Sequence, residues 1–433
     1  MKYYSTNKES PLVDFREATL RGQAPDKGLY FPVSIPETDK QLFEQIESIS
    51  DEELAFNVMK PYIGSVIPEE DLFNIVKETI NFPIPLVRVH EQIHSLELFH
   101  GPTLAFKDVG ARFMSRCLGH FVKGQQKKVT VLVATSGDTG GAVANGFYKV
   151  NGVEVVILYP SGKVSPVQEK QLTTLGNNIH ALEVKGTFDD CQAMVKSAFA
   201  DKAVTEKLFL TSANSINVAR WLPQQFYYFF AYKQWKEKDN PPVFSVPSGN
   251  FGNICAGLLA MESGLPVQHF IAACNVNDIV SLYLESGQLI PKEAVATLSN
   301  AMDVGNPSNF VRILEIFRHN FPDLTTKLSS CTVTDVETIR TIKEVYHQYG
   351  YLLDPHGAVG YLSLKRYIER HINAKGIFLE TAHPVKFPDA VIEATGTQIH
   401  IPETLQPLMA AKKESLLMQP DYSLLKDYLL KYD

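Results

Sequence analysis

The alternation of short β-branched runs with helical patterns, which begins near residue 86, constrains the fold more than any other feature of this sequence. The runs are Val129 to Ala134, Val153 to Tyr159, Leu208 to Thr211, Val243 to Val246, His269 to Ala273 and Ile377 to Thr381. Strands that alternate with helices form a parallel sheet covered by helices. The sequence therefore predicts an α/β fold with open, mostly parallel sheets.

The ends of the chain follow a helical pattern instead. Residues 36 to 80 carry apolar residues near a 3.6-residue period, and Pro83 and Pro85 end that block. Helical patterns return at Leu405 to Leu417 and at Tyr422 to Leu430. A chain of 433 residues is too long for one compact core, so we expect two or three domains.

Composition excludes several classes of partner. Forty-one Lys and Arg against 48 Asp and Glu give a net charge of −7, which favours neither nucleic acid nor an anionic membrane. The N-terminus lacks the apolar segment of a signal peptide, no apolar run is long enough to span a membrane, and none of the five cysteines forms a Cys-x-x-Cys pair. We expect a cytosolic protein, monomeric or homodimeric, that acts on small molecules.

A glycine-rich loop follows the run Val243 to Val246. It reads Ser248-Gly249-Asn250-Phe251-Gly252-Asn253 and precedes a helical pattern from Ile254 to Met261. Glycines let backbone N–H groups approach a phosphate closely. The loop lacks the Gly-Lys-Ser/Thr of a P-loop and the spacing of a dinucleotide fingerprint, so a monophosphate fits best. Taken alone, the loop also fits a structural turn.

Two further polar loops follow predicted strands. Thr135 to Gly141 contains hydroxyl and amide groups that suit a carboxylate, and Asp138 within it should face a hydroxyl or a protonated nitrogen. Thr211 to Asn217 leads into a helix that carries Arg220, and arginine can bind a phosphate through two N–H groups. Each of these loops, considered singly, also fits a structural role.

Lys107 lies at the predicted start of a helix that extends to Phe121. Desolvation beside Phe106 and the positive end of the helix dipole both favour the neutral amine, which is the form that makes Schiff bases. Most lysines are solvated surface charges, so Lys107 is a candidate only because the three polar loops are present as well. Together, a lysine nucleophile, a monophosphate cradle and two anion pockets match a phosphorylated aldehyde cofactor and a doubly anionic amino-acid substrate.

Four segments resemble threonine synthases, a family within the tryptophan-synthase-β-like, fold type II pyridoxal-phosphate enzymes. They are the run from His100 to Phe113, the TSGDTG at 135 to 140, the SGNFG at 248 to 252 and the LDPHGA at 353 to 358. The resemblance also includes DKGLYFP at 26 to 32 and covers nearly the whole chain. It departs at Gly357, where we expect Ser or Thr after Asp-Pro-His.

The resemblance implies pyridoxal 5′-phosphate as cofactor, with Lys107 as its Schiff-base lysine and catalytic residue, and no metal ligand. It implies a cofactor set of Lys107, Asp138, Ser248, Gly249, Asn250, Phe251, Gly252 and Thr381, the last of these facing the pyridine nitrogen. It implies a substrate set of Ser136, Gly137, Asp138 and Thr139 for the carboxylate, and Asn214, Ser215 and Arg220 for the phosphate.

The implied architecture is two open, mostly parallel sheet domains with an additional helical N-terminal domain. The domains are residues 1–85, which are mainly helical; 86–112 with 225–390, a large cofactor domain; 113–224, a small substrate domain; and 391–433, a C-terminal helical extension. The implied reaction converts O-phospho-L-homoserine and water to L-threonine and phosphate, the last step of threonine biosynthesis.

Three rival interpretations need an answer. His90-Glu91-Gln92-Ile93-His94 matches the zinc-protease pattern HExxH, but that pattern requires a helix and the flanking residues alternate as a β-hairpin. Another pyridoxal-phosphate enzyme, such as a threonine dehydratase or cysteine synthase, would not need the second phosphate pocket at Asn214 to Arg220. A non-catalytic phosphate- or metabolite-binding relative would not need Lys107.

Overall fold

The computed structural model describes residues 1–124 and 128–431. The strands in these ranges are β1 (Lys2–Ser5), β2 (Val13–Asp14), β3 (Tyr30–Pro32), β4 (Leu86–Arg88), β5 (Ile93–Glu97), β6 (Val129–Ala134), β7 (Val153–Pro160), β8 (Ile179–Val184), β9 (Phe209–Thr211), β10 (Val243–Pro247), β11 (His269–Cys274), β12 (Leu328–Thr332), β13 (Gly376–Glu380) and β14 (Leu416–Met418).

The α-helices in the same ranges are α1 (Phe15–Arg21), α2 (Lys40–Glu44), α3 (Asp51–Ile63), α4 (Glu69–Thr79), α5 (Lys107–Val122), α6 (Asp138–Phe147), α7 (Pro166–Thr173), α8 (Phe188–Ala200), α9 (Lys202–Lys207), α10 (Val218–Trp221), α11 (Gln225–Gln234), α12 (Gly252–Glu262), α13 (Ile279–Ser286), α14 (Phe310–Ile316), α15 (Phe321–Lys327), α16 (Asp335–Tyr349), α17 (Pro355–Arg370), α18 (Pro388–Thr395), α19 (Gln406–Ala410) and α20 (Tyr422–Lys431). Among the described residues, no helix combines the length and the apolarity needed to cross a membrane.

Two parallel sheets form the centre of the molecule, and they confirm the predicted α/β fold with open, mostly parallel sheets. One has six strands in the order β12-β11-β10-β13-β5-β4, of which only β4 runs antiparallel. The other has five parallel strands in the order β14-β8-β7-β6-β9. Their central strands are buried on both faces, as parallel strands between helices are.

The helices predicted for residues 36 to 80 are confirmed as α2, α3 and α4. The same N-terminal region also contains a three-stranded antiparallel sheet in the order β2-β1-β3, which the sequence did not predict. These strands have two to four residues, too few to show a two-residue alternation of apolar side chains.

The helix predicted over Leu405 to Leu417 is wrong for most of its length. Only Gln406–Ala410 is α-helical, and Leu416–Met418 pairs with β8 at the edge of the five-stranded sheet. The C-terminal region therefore contains a strand as well as helices. An apolar run this short fits a strand or a helix, and only pairing with a strand more than 200 residues earlier decides between them.

The HExxH segment is a hairpin and not a helix, as predicted. Strands β4 and β5 pair antiparallel, with His94 in β5 and His90 between the strands. The His90 ring packs against Tyr349, while the His94 ring packs against Trp235. Two histidines that contact different aromatic rings are held by packing, and the arrangement lacks the helix that a zinc protease needs.

Candidate active site

Lys107 is the first residue of α5, as the sequence predicted. The chain in front of it is fixed by the segment after β13, because the Phe106 N–H donates to the Thr381 carbonyl at 2.9 Å and Ala105 pairs with Ala382. The Tyr227 hydroxyl also donates to the Phe106 carbonyl. Lys107 and Thr381 thus lie on adjoining segments at the carboxyl edge of the six-stranded sheet.

The Lys107 amine is easier to deprotonate than an ordinary lysine. Burial lowers its pKa to about 8, with smaller contributions from the positive charges of Lys386 and Arg220, while Asp138 opposes the shift. Because burial disfavours the charged form of an amine, this environment supplies neutral amine near physiological pH. That is the state required of a Schiff-base lysine.

Asp138 is buried and faces a cation. Its Oδ1 atom lies 2.6 Å from the Lys386 Nζ atom and accepts a hydrogen bond from Gln168 Nε2 at 2.9 Å. Burial alone would raise the pKa of this carboxyl, but the charges of Lys386 and Lys107 and the two hydrogen bonds hold the pKa well below its ordinary value. Asp138 is therefore an ionised carboxylate beside Lys107.

The loop in front of α6 is shorter than the sequence predicted, because the helix begins at Asp138 and not at Ala142. Thr135 organises it: the Thr135 hydroxyl oxygen accepts the N–H groups of Gly137 at 3.0 Å and Gly140 at 2.8 Å. The Ser136 and Thr139 side chains remain partly exposed. Thr135 thus satisfies one first-turn amide of α6, that of Gly140, and the first-turn N–H groups of Asp138 and Thr139 are the ones that could meet an anion.

The glycine-rich loop connects β10 to α12. Its residue Phe251 adopts a left-handed backbone with φ of 61° and offers no side-chain cap to the helix that follows, in which Asn253 Oδ1 accepts the Ile254 N–H at 2.9 Å. The Ser248 hydroxyl donates to the Val246 carbonyl at 2.8 Å, which leaves its lone pairs free. A Cβ atom at Gly249 would lie 2.6 Å from the Met302 Cα atom, so the close approach of these two segments requires glycine.

The third loop meets the glycine-rich loop directly. Ser215 Oγ accepts hydrogen bonds from Asn250 Nδ2 at 3.1 Å and from Asn309 Nδ2 at 2.9 Å. With both of its acceptor positions used, the Ser215 hydroxyl proton points to a further acceptor. Asn214 lies beside it and is partly exposed.

Arg220, in α10, is buried close to Lys107. Its NH1 group donates to the Ala213 carbonyl at 2.7 Å, but its Nε–H has no partner among the described residues. A Cβ atom at Gly110, one helical turn after Lys107, would lie 2.6 Å from the Arg220 carbonyl oxygen. This glycine therefore lets α10 approach α5 closely and bring a guanidinium with an unsatisfied donor to the site, which is what an incoming anion requires.

The unexpected glycine at 357 has a structural reason. A Cβ atom at this position would overlap the carboxyl group of Glu380, the residue before Thr381. Glu380 accepts the Asp354 N–H at 2.7 Å and is fully buried. Burial, and then the neighbouring Asp354 carboxylate, raise the pKa of Glu380 well above its ordinary value.

Several residues of the site carry no motif and were missed. Lys386, Gln168 and Glu380 surround Asp138 and Thr381, while Asn309 and Arg312 hold the Ser215 loop. Lys386 stands between two prolines just after a predicted strand, which indicates a turn but not a buried charge. Gln168, Glu380 and Arg312 lie on helices or strands with ordinary patterns and Asn309 directly precedes α14, so only the tertiary fold brings these four to the site.

The comparisons with known proteins agree with this geometry. The family model described as "Pyridoxal-phosphate dependent enzyme" matches residues 78–379, and those described as "Threonine synthase N terminus" and "Threonine synthase, C-terminal" match residues 2–80 and 357–429. Threonine synthase of Haemophilus influenzae is 46% identical over 432 residues, which is 100% of each chain.

The chain belongs to the threonine synthase family. The crystal structure of threonine synthase from Escherichia coli superimposes with a TM-score of 0.92 at 42% identity and covers 100% of each chain. A pyridoxal-phosphate-bound threonine synthase from Brucella melitensis gives a TM-score of 0.92 at 37% identity and covers 99% of this chain and 98% of its own. The chain is accordingly a pyridoxal-phosphate-dependent enzyme.

The residues of the site fit the cofactor's groups by their chemistry. The glycines of the loop and the first N–H groups of α12 would hold the cofactor's phosphate, and Lys107 provides an amine of lowered pKa. The Nε–H of Arg220 is a buried donor that has no partner among the described residues. The residues present therefore fit pyridoxal phosphate together with an anionic substrate.

The contact between Gly357 and Glu380 can be tested by a double-mutant cycle. Gly357→Ser should lower the free energy of unfolding by about 2 kcal/mol or more, because the new side chain overpacks a buried carboxyl. Glu380→Ala removes that carboxyl, so the two substitutions together should cost less than the sum of their separate effects. Urea unfolding of the four proteins measures this coupling, and strictly additive effects would contradict the proposed contact.

Proposed function

We propose that this threonine synthase family member converts O-phospho-L-homoserine and water to L-threonine and phosphate, the last step of threonine biosynthesis. The observation that supports this best is the hydrogen bond between Asn250 and Ser215. It joins the cofactor's phosphate cradle to a second anion pocket beside Lys107. A substrate that carries its own phosphate needs such a second pocket.

In this proposal, the substrate phosphate binds to Ser215, Asn214 and Arg220. The Ser215 hydroxyl has a proton to donate, and Arg220 has an unpaired Nε–H. Burial lowers the pKa of Arg220 to about 10, but the guanidinium stays charged at neutral pH. A charged donor in a buried site favours a dianionic phosphate over a neutral leaving group.

The substrate carboxylate binds at the start of α6. The Ser136 and Thr139 hydroxyls and the backbone N–H groups of Asp138 and Thr139 are the groups offered there, because the Gly140 N–H already donates to Thr135. Gly137 contributes through its backbone shape, because its N–H already donates to Thr135. Asp138, already bound to Lys386 and Gln168, keeps the carboxylate from moving deeper into the site.

Lys107 moves the protons of the reaction. Bound pyridoxal phosphate supplies an electron sink for negative charge at the substrate Cα. The Lys107 amine takes a proton from Cα and then one from Cβ, so that phosphate can leave from Cγ, and it returns protons to Cγ and, after water adds at Cβ, to Cα. Thr381, on the segment that adjoins Lys107, offers a neutral hydroxyl to the cofactor's ring nitrogen, and the raised pKa of Glu380 disfavours a negative charge next to that position.

The alternatives fit the site less well. A threonine dehydratase or a cysteine synthase uses no phosphorylated substrate of this kind, and would leave the Arg220 donor without a purpose. A non-catalytic binding protein would not need a lysine of lowered pKa. A cytosolic location and a monomeric or homodimeric state stay predictions.

A phosphate-release assay with O-phosphohomoserine tests the reaction. Wild-type protein loaded with pyridoxal phosphate should release phosphate and form threonine in equal amounts, while Lys107→Ala should form neither. Loaded wild-type protein that is inert toward this substrate but deaminates threonine or serine would contradict the proposal and favour a dehydratase.

Substitution of Arg220 tests the phosphate pocket. Arg220→Met keeps most of the side-chain volume but removes a charged donor worth about 1.5–3 kcal/mol, so kcat/KM should fall roughly 10- to 150-fold. Arg340→Ala, at an exposed arginine of α16, is the matched control and should leave kcat/KM unchanged. If Arg220→Met lost cofactor and activity in equal proportion, Arg220 would be a structural residue.

A further inference from the structure

The site contains a second lysine that no sequence motif included. Lys386 ends a short 3₁₀ helix, Pro384–Lys386, which follows β13. It is fully buried, its Nζ atom lies 2.6 Å from Asp138 Oδ1, and it donates to the Thr103 carbonyl at 2.8 Å. It therefore connects the end of one sheet, the start of α6 on the other, and the segment that leads to Lys107.

A buried carboxylate next to a catalytic amine favours the protonated amine, and the contact between Lys386 and Asp138 opposes that effect. Asp138 lies close enough to Lys107 for their charges to interact. An unpaired Asp138 would attract the Lys107 ammonium and favour its protonated form. A protonated Lys107 cannot act as a nucleophile or as a base.

The other charged groups around Lys107 cannot replace Lys386 in this role. Arg220 approaches from α10 and adds positive charge, but it donates to the Ala213 carbonyl and not to Asp138. Asp108, next in sequence, is held by the Thr103 N–H at 2.9 Å and the Thr103 hydroxyl at 2.5 Å. Among the described residues, Lys386 is the cation that binds Asp138.

We propose that Lys386 is a positioning residue for Lys107: by binding Asp138 and the Thr103 carbonyl, it keeps the carboxylate from capturing the Lys107 amine. This inference rests on the proposed role of Lys107 as the cofactor lysine. The charge balance agrees with it, because Lys386 lowers the pKa of Lys107 and Asp138 raises it. The buried pair leaves Lys107 in surroundings without net negative charge.

The test follows the uptake of pyridoxal phosphate by apo-protein between pH 6 and 10, read from the visible absorption of the bound cofactor. Wild-type uptake should rise with pH to a midpoint of about 8, where Lys107 loses its proton. In Lys386→Met the midpoint should move up by about one unit, which slows uptake at pH 7 roughly tenfold. Lys386→Arg retains the charge and should stay close to wild type.

Asp138→Asn provides an independent measurement with the opposite sign. It removes the group that raises the pKa of Lys107 and keeps Lys386, so the midpoint should move below that of wild type. In the double variant Lys386→Met with Asp138→Asn, the midpoint pH of uptake should move back most of the way from the Lys386→Met value to the wild-type value. The cofactor's own titrations are common to all variants, so differences between midpoints belong to the protein.

Several results would overturn the inference. One is an unchanged midpoint in Lys386→Met with a uniform loss of uptake at every pH, which indicates a structural role only. Another is an Asp138→Asn midpoint above that of wild type, which decides the question even if Lys386→Met fails to fold. If wild-type protein took up cofactor on a residue other than Lys107, the proposed role of Lys107 would be wrong. The role of Lys386 toward Lys107 would then be wrong as well, whatever the midpoints of the variants.

Discussion

The chemistry of this site depends on the desolvation of one amine at the start of a helix. Burial, more than any single neighbour, lowers the pKa of Lys107 to about 8. That burial exists because Phe106 is held by Thr381 and Tyr227, which fixes where α5 begins. A lysine one residue later or earlier would point to a different side of the helix.

The site also depends on loops from different parts of the chain, and buried polar groups hold those loops together. Arg312, fully buried in α14, donates to the Ser215 carbonyl at 2.9 Å and to the Tyr30 carbonyl in β3 at 3.0 Å. It also stacks on Trp221, with 4.3 Å from the guanidinium carbon to the ring centre. The N-terminal sheet is thereby coupled to the loop of the second anion pocket. The residues proposed to bind substrate are few, but a larger set of buried donors fixes their positions.

Much of this arrangement could be predicted from the sequence because it is local. The strands before each loop, the start of α5 at Lys107 and the glycine-rich turn each have a pattern within ten residues. The features that the sequence failed to predict depend on contacts between distant parts of the chain. Strand β14 exists because β8 pairs with it, and Gly357 is small because Glu380 occupies the adjacent space.

Lys386 is another residue whose role depends on a contact between distant parts of the chain. It and Asp138 are 248 positions apart, and a lysine with an apolar neighbourhood in the sequence gives no sign that it will be paired with a buried aspartate. The sequence did require a cation or a hydroxyl opposite Asp138, since a bare carboxylate beside an anion pocket would repel its ligand. Physical chemistry thus predicted the kind of partner, and only the fold could identify it.

Two lysines therefore lie in one site, and the central claim is that they do different things. Borohydride reduction of the protein loaded with pyridoxal phosphate fixes a Schiff base covalently, and peptide mapping then identifies the modified residue. The account predicts the label on Lys107 alone, with Lys386 unmodified. A label on Lys386, or on any other lysine, would contradict it.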